Sequence, residues 1–570
     1  KVRPYVYAGR DITIKEEARN RFLYGRHSLL LRATQILEQS KGYIAKDSTG
    51  PKYLGSPQHI FLRYRYKYKN NLQYGIVADK DAGEQLFKGA QKNGFDFYSF
   101  HLFAKNLGII KNLALGDFTV NMGQGLISWQ ALAFHKSVDV MNIKRQAEIL
   151  RPYNSAGEFN FHRGVGVTLK IGRIQTTGFI SYKNLSANAV VDYINYLDYV
   201  SSLLTSGYHR TASEIADINQ TKQLTFGGNI AYDYNRFHLG LNAVHHSFNK
   251  PLQKSGDPYN KYAISGKSFT NASTDYSYTL KNMHIFGELA VDQSGDIATV
   301  DGMMMSLDPK IDFSLLYRNI SRSYTSLYSN AFTESSAPIN ENGFYTGMEI
   351  RPWPGIRIDV YADVFSFPWL KYGVDRPSKG SDYLVQLTWK PNKQVEVYTR
   401  YVNQTKAMNL SGSDLPTHIT MDRPKQNWRT NISCKISSSI ALRGRTELVW
   451  FDKRSGQPDN GFLMYTDIIY KPMMKPFSAN LRLQYFETDS YDSRLYAYEN
   501  DVQYSFSIPP FSGKGYRWYF NFNYDVSKKL STWFRIAQSI YPGAASVGSS
   551  YDEIDKNHKT EIKLQLMYNF

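Results

Sequence analysis

Apolar and polar residues alternate along most of this chain, most cleanly at its end. In EIKLQLMYNF (561–570), Ile562, Leu564, Leu566, Tyr568 and Phe570 fall on one face of a strand. Lys563, Gln565 and Asn569 fall on the other, where Met567 is the one apolar residue. Period two predicts a strand with one face in an apolar medium and the other in a polar one. HIFLRYRYKYK (59–69) repeats the pattern, with Ile60, Leu62, Tyr64, Tyr66 and Tyr68 opposite Phe61, Arg63, Arg65, Lys67 and Lys69. Four cations on one face would be costly against a packed core. They are acceptable facing a water-filled lumen, with the tyrosines towards lipid.

The same reading predicts hairpins of 381–390 with 393–403, of 426–436 with 440–451, and of 516–524 with 529–538. In the second hairpin Arg443, Arg445 and Glu447 point inward and Ile440, Leu442, Leu448 and Trp450 outward. In the third, Tyr516, Trp518, Phe520, Phe522 and Tyr524 form an unbroken aromatic row. Short turns alternate with longer connections at 38–57, 80–94, 119–160, 184–222, 247–274, 319–342, 366–380, 403–425 and 540–559. That asymmetry predicts an all-β, closed transmembrane antiparallel barrel of about 22 strands, within roughly 16–26 and even in number. Alternation does not resolve around 487–515. Residues 1–22, with Lys15, Glu16, Glu17 and Arg19 and weak helical character, are expected to form a periplasmic lead-in, and 23–570 the barrel.

Composition narrows the medium. Mean hydropathy is −0.45, and no run of about eighteen apolar residues suggests a spanning helix. Aromatics make up 15% of the chain, including 44 Tyr, which suits girdles at two membrane interfaces. The single cysteine, Cys434, excludes an internal disulfide and a cysteine-rich metal site, and its strand position points it to lipid. The net charge of +18 is spread along the chain without a basic tail, which favours a basic lining over a nucleic-acid face. The sequence opens at Lys1-Val-Arg-Pro without a signal-like apolar stretch, so the barrel reading expects a signal peptide, and leaves room for a further domain, ahead of Lys1.

The lumen cations Arg63, Arg65, Lys67, Arg443, Arg445 and Arg482 admit two readings: an anion-attracting lining, or pairing with acidic neighbours such as Glu447 and Glu396. The segment 119–160 lacks alternation yet is apolar, and is expected to fold inward as a plug or to pack as an outer cap. Its candidate residues are Gly123, Gly125, Trp129, Phe134, Arg145 and Arg151. Leu564, Leu566, Tyr568 and Phe570 form the candidate assembly signal, a terminal aromatic strand that must also close the barrel. His135, Ser137 and Asp139 would share a face if extended, but no G-x-S-x-G elbow accompanies them. His162, His245 and His246 read as structural, with no H-E-x-x-H pattern. Asp308, Asp312, Glu334, Glu341 and Asp375 match no EF-hand spacing and read as solvated loop carboxylates. No metal or cofactor is expected.

Several long segments carry a resemblance: LGSPQHIFLRYRY (54–66), ALGDFTVNMGQGL (114–126), KSVDVMNIKRQAEILRPYNSAGEFNFHRG (136–164), SLYSNAFTESS (326–336), FPWLKYGVDRPS (367–378), YENDVQYSFSIP (498–509) and the terminal strand. From about residue 3 to 570 the chain resembles the Bacteroidota outer-membrane proteins usually labelled helix-hairpin-helix domain-containing proteins. The resemblance implies a large outer-membrane barrel which, at full length, is preceded by small helix-hairpin-helix repeats. Together these readings lead to a non-enzymatic barrel, a subunit of a larger Bacteroidota outer-membrane complex concerned with outer-membrane protein or surface-lipoprotein biogenesis. Its expected partners are outer-membrane lipid, lipopolysaccharide and other envelope proteins or lipoproteins. The alternatives are a channel for anionic solutes and a barrel coupled to DNA uptake, although nucleic acid is not an expected partner of this part of the chain.

Overall fold

The computed structural model describes residues 14–44, 50–192, 197–410, 417–453 and 458–570. Twenty-four antiparallel strands close into one barrel. Closure is made by the two ends of the chain. The first strand, Arg26–Ile36, hydrogen-bonds along the last, His558–Asn569, with Leu29 opposite Tyr568 and Leu31 opposite Leu566. The count is two above the sequence expectation and even, as lipid demands of a wall with no free edge.

Register carries the alternation around the wall. Tyr568, Leu29, Tyr64, Ile76 and Phe100 are successive cross-strand neighbours on the outer face, and all are substantially exposed or half-exposed. Asp467, Arg482, Tyr519, Ala537 and Glu561 are the matching neighbours on the inner face. Leu564, Leu566, Tyr568 and Phe570 point outward, while Met567 packs inward with Leu30, Phe61 and Val77. An apolar outer face wrapped on a closed sheet with a charged interior is the arrangement of a bacterial outer-membrane protein, and that membrane is where this barrel resides. Among the described residues no helix is long and apolar enough to cross a membrane.

The strands of the wall run from 9 residues in Leu72–Lys80 to 16 in Phe237–Leu252. About 9–11 residues suffice to span the bilayer, so the longest strands extend beyond it. Two expected connections are therefore shorter than predicted. Residues 247–274 are largely strand, in Phe237–Leu252 and Gly266–Leu280, and 403–425 is partly strand, in Val395–Asn409 and Thr420–Lys435. Outward polar residues such as His245, Ser268 and Thr270 hide the first of these extensions, because a strand above the bilayer need not be apolar outside. On the opposite end most turns are tight. Gly172, with φ 60°, turns the chain between Ile171 and Ile174.

The lead-in expected over 1–22 lies partly outside the described residues. Within them, Ile14–Leu23 is a helix at the short-turn end of the barrel. Arg21 donates to the carbonyls of Lys105 and Asn106 at 2.6 and 2.9 Å, and the Tyr66 hydroxyl donates to the Arg21 carbonyl at 2.7 Å. Tyr66 shares the outer face with Tyr64 but is fully buried beneath this helix end, so it meets protein where the alternation alone predicts lipid.

Candidate functional site

The lumen holds the chain's unusual chemistry, and two connections fold into it. The first spans 121–161. Its apolar side chains Met122, Leu126, Ile127, Val140 and Ile143 are buried against inward residues of many strands, among them Phe118, Phe286, Val300, Leu316 and Tyr345. Burial of this kind contributes about 25 cal/mol per Å² of apolar surface, which draws a segment of this composition off the rim and into the barrel.

Backbone polarity inside an apolar core must be met. Glu288 meets part of it, accepting the N–H groups of Gln124 and Leu126 at 2.6 and 3.0 Å. Gly123 allows this approach: its φ is 52°, and a Cβ there would lie 2.5 Å from the Glu288 carboxyl carbon. Gly125, with φ 87°, passes the Asn330 carbonyl, whose oxygen a Cβ would meet at 2.9 Å. The Trp129 backbone N–H donates to the Tyr328 carbonyl at 2.7 Å. Arg145 donates to the carbonyls of Phe134, Asn330 and Ala331 at 2.5, 3.1 and 3.1 Å, and burial draws its guanidinium down to about 10. The segment 321–340 is thereby locked to the first. Phe134 and Arg151 do not join this packing; both stay exposed.

Lys136 anchors the far side of the segment. Its Nζ lies 3.0 Å from both Asp363 and Asp382 and also contacts Glu334. Burial works against its charge, but these carboxylates outweigh burial and raise its pKa. Glu334 also pairs with Lys406. Arg318 bridges Glu341 and Asp363 at 2.5 and 2.8 Å. Glu334 and Glu341, expected to be solvated, are thus structural ion-pair members, as is Asp312 with Arg351.

The second inward connection, 489–513, is the stretch where the sequence alternation failed to resolve. It alternates, but against the inside of the wall. Leu495, Ala497 and Glu499 turn to the strands, while Tyr496 and Tyr498 turn away and stay exposed. Glu499 receives Arg517 in a two-pronged pair, both bonds 2.9 Å, and also pairs with Arg535. Asp501 receives Lys563 at 2.7 Å. Burial pushes both carboxyls up, but the facing cations prevail and lower them.

The expected lumen cations divide accordingly. Arg482 makes two 2.6 Å bonds to Asp467 and donates to the Tyr498 carbonyl at 2.7 Å. Arg445 pairs with Glu447 and donates to the Tyr496 carbonyl at 2.8 Å. Arg63 stacks on Tyr504 at 4.6 Å. Arg65 is half-buried, and Lys67 and Arg443 are exposed towards the short-turn end. Glu396, suggested as a lumen partner, pairs instead with Lys390 at 3.0 Å across a turn. Alternation and spacing do not single out Glu288, Lys136, Arg318, Glu499 or Asp501 as lumen-organising residues. Acidic residues inside the aromatic, alternating stretch YENDVQYSFSIP were the available signal for the last two.

His135 contacts the Thr333 carbonyl and the Ser137 hydroxyl caps the Asp139 N–H, so these three form no relay. His246 bonds Thr225 and His245 bonds Thr270, while buried His162 packs on Phe118, Phe179 and Tyr328. Two sets of groups with metal-ligating chemistry converge elsewhere, at the long-connection end: His59, Asp79 and Asp81, and Glu84, Asp96 and His209. The sequence links neither set: His59 meets Asp79 and Asp81 only through the pairing of adjacent strands, and His209 reaches Glu84 and Asp96 from a distant connection.

No family model matches the chain, and no curated protein matches it. Among solved structures it is similar to the siderophore receptor PirA from Acinetobacter baumannii, with a TM-score of 0.44 and 8% identity over 96% of this chain and 80% of that one. It is similar to the FrpB iron transporter from Neisseria meningitidis at 0.41 and 9% over 96% and 82%. It is also similar to the copper transporter OprC at 0.43 and 8% over 95% and 80%. Likeness at this level carries nothing about cargo.

Proposed function

We propose that this chain is a non-enzymatic outer-membrane barrel that works closed, as a subunit of a larger outer-membrane assembly serving outer-membrane protein or surface-lipoprotein biogenesis in the Bacteroidota family it resembles. The observation that supports a closed role is the lumen filling: 121–161 buries an apolar core inside the wall, and 489–513 is held there by Glu499 and Asp501. The anion-channel alternative loses part of its motive, since Arg445, Arg482, Arg517 and Arg535 are ion-paired. Surfaces suited to protein contact stand outside the lumen. Trp353, Met473 and Met474 are exposed on short-turn connections, and Tyr372 on a longer one; aromatic and Met side chains are favoured at interfaces.

Affinity purification of the natively expressed barrel from cross-linked membranes tests the assembly. The expected result is a stoichiometric envelope partner whose recovery falls when Trp353, Met473 and Met474 are changed together to Ser. A barrel that migrates alone in native gels, cross-linked or not, would remove the subunit role.

A further inference from the structure

At the long-connection end, two connections bring Glu84, Asp96 and His209 together, the first two from 81–96 and the third from 186–220, with one ligand-capable atom of each within 4.8 Å of the others. All three side chains are buried. Asp96 Oδ2 lies 2.6 Å from His209 Nδ1, and the Glu84 Oε1 accepts the His209 backbone N–H at 2.9 Å. Asp96 also receives the Gln91 amide. Glu158, from the inward connection, shares with Asp96 and His209 the lining of a cavity of about 510 Å³. Glu158 has no hydrogen-bond or ion-pair partner among the described residues.

The charge balance here differs from that of most lumen carboxylates, Glu288 with its two backbone N–H donors apart. The buried carboxylates Glu341, Glu447, Asp467, Glu499 and Asp501 each face an Arg or Lys within ion-pair distance. Among the described residues, Glu84, Asp96 and the half-buried Glu158 face no Arg or Lys within that distance: Glu84 accepts the backbone N–H groups of Asp81 and His209, and the one basic group facing Asp96 is the His209 imidazole. The nearby cations are engaged elsewhere: Lys80 donates to the carbonyls of Ser56, Gln58 and Asp81, and Arg210 pairs with Glu214. Of the two that line the cavity, Lys183 donates to the carbonyls of Phe159 and Phe161, and Arg163 pairs with Asp117. Buried charges are either paired or coordinate a metal.

We propose that Glu84, Asp96 and His209 form a divalent transition-metal site, with Glu158 across the cavity as a further ligand. One imidazole among carboxylates suits zinc-like ions better than calcium, which takes oxygen alone. His209 is already oriented for the task. Its Nδ1 faces the carboxylates, and its Nε2 lies 2.9 Å from the Ser186 hydroxyl, the outer-shell bond that fixes a ligating ring. On binding, the Nδ1 proton leaves to solvent and the ion takes its place against Asp96. The cavity supplies the entry path. The ion would join the connections 81–96, 121–161 and 186–220 across the mouth of the barrel.

The test uses the full barrel in detergent, stripped with chelator and titrated with Zn²⁺ by calorimetry, with metal content measured after desalting. One Zn²⁺ per barrel is expected, absent in Glu84→Gln with His209→Ala, and about 10–100-fold weaker in Ser186→Ala. The doubly substituted barrel must keep its heat-modifiable mobility; if it does not, the single isosteric change Asp96→Asn serves in its place. Stripped native barrel that takes up no Zn²⁺, or uptake unchanged in the folded variants, would overturn the site. Tighter binding of Ca²⁺ than of Zn²⁺ would overturn the transition-metal assignment. Ser186, His209 and Asp96 also have the connectivity of a nucleophile relay, although the surrounding carboxylates oppose a developing oxyanion; covalent labelling of Ser186 by a fluorophosphonate probe would overturn the metal reading in favour of that one.

Discussion

At the scale of single residues, the inner face was legible as charge and illegible as pairing. Period two put Arg445 and Arg482 inside, and both lie there. It could not name Asp467 as the partner of Arg482, or Glu499 as the partner of Arg535, because pairs made across strands leave no mark on spacing. Such pairs are strongly coupled once buried. Removing one member strands the other, at a cost of about 3–5 kcal/mol. Arg318→Ala should therefore destabilise the barrel more than Arg443→Ala, since Arg318 is buried between Glu341 and Asp363 while Arg443 is exposed. The temperature at which the folded band is lost on gels measures the difference, and equal temperatures would contradict it. Gly123→Ala is a second case. It forces a Cβ into the Glu288 carboxyl at a positive φ, a strain of order 1–3 kcal/mol. It should expose 121–161 to limited proteolysis while leaving the wall intact; unchanged protection would show that Glu288 can move aside.

At the scale of elements, strands were readable where lipid enforces alternation and poorly readable above it. The terminal strand is the best case, since each outward residue from Leu564 to Phe570 is exposed on the wall. Its last residue also acts on the neighbouring strand. The N–H of His27 donates to the Phe570 carbonyl at 3.0 Å, and the two rings stack with centroids 4.8 Å apart. Deleting Phe570, or changing Tyr568 and Phe570 to Asp, should block closure and membrane assembly. Heat-modifiable, membrane-integrated protein at native yield from either variant would refute this. The 489–513 connection shows the limit of the method. It has strand-like alternation, but its partners are side chains of the inner wall, so the pattern alone cannot separate it from a membrane strand.

For the whole molecule, the question is whether the two inward connections keep the barrel closed. Their geometry allows each to be removed without breaking the wall. The Asn121 N–H donates to the Ile149 carbonyl at 2.9 Å, so a short Gly/Ser turn can replace 123–147. The Thr488 N–H donates to the Gly513 carbonyl at 2.9 Å, so the same holds for 490–511. Native barrel in planar bilayers should conduct poorly, and removal of 123–147 should open a conductance. Removal of 490–511 has a further, signed consequence. It takes away Glu499 and Asp501 and leaves Arg517 and Lys563 on the inner wall without these carboxylates. The resulting pore should prefer anions, with a reversal potential that shifts in a chloride gradient and collapses towards zero at high salt, as screening shortens the reach of the lining charges. A native barrel that already conducts like an open porin would remove the closed role. A cation-selective pore after removal of 490–511 would show that the lumen's exposed charge is not set by these pairs.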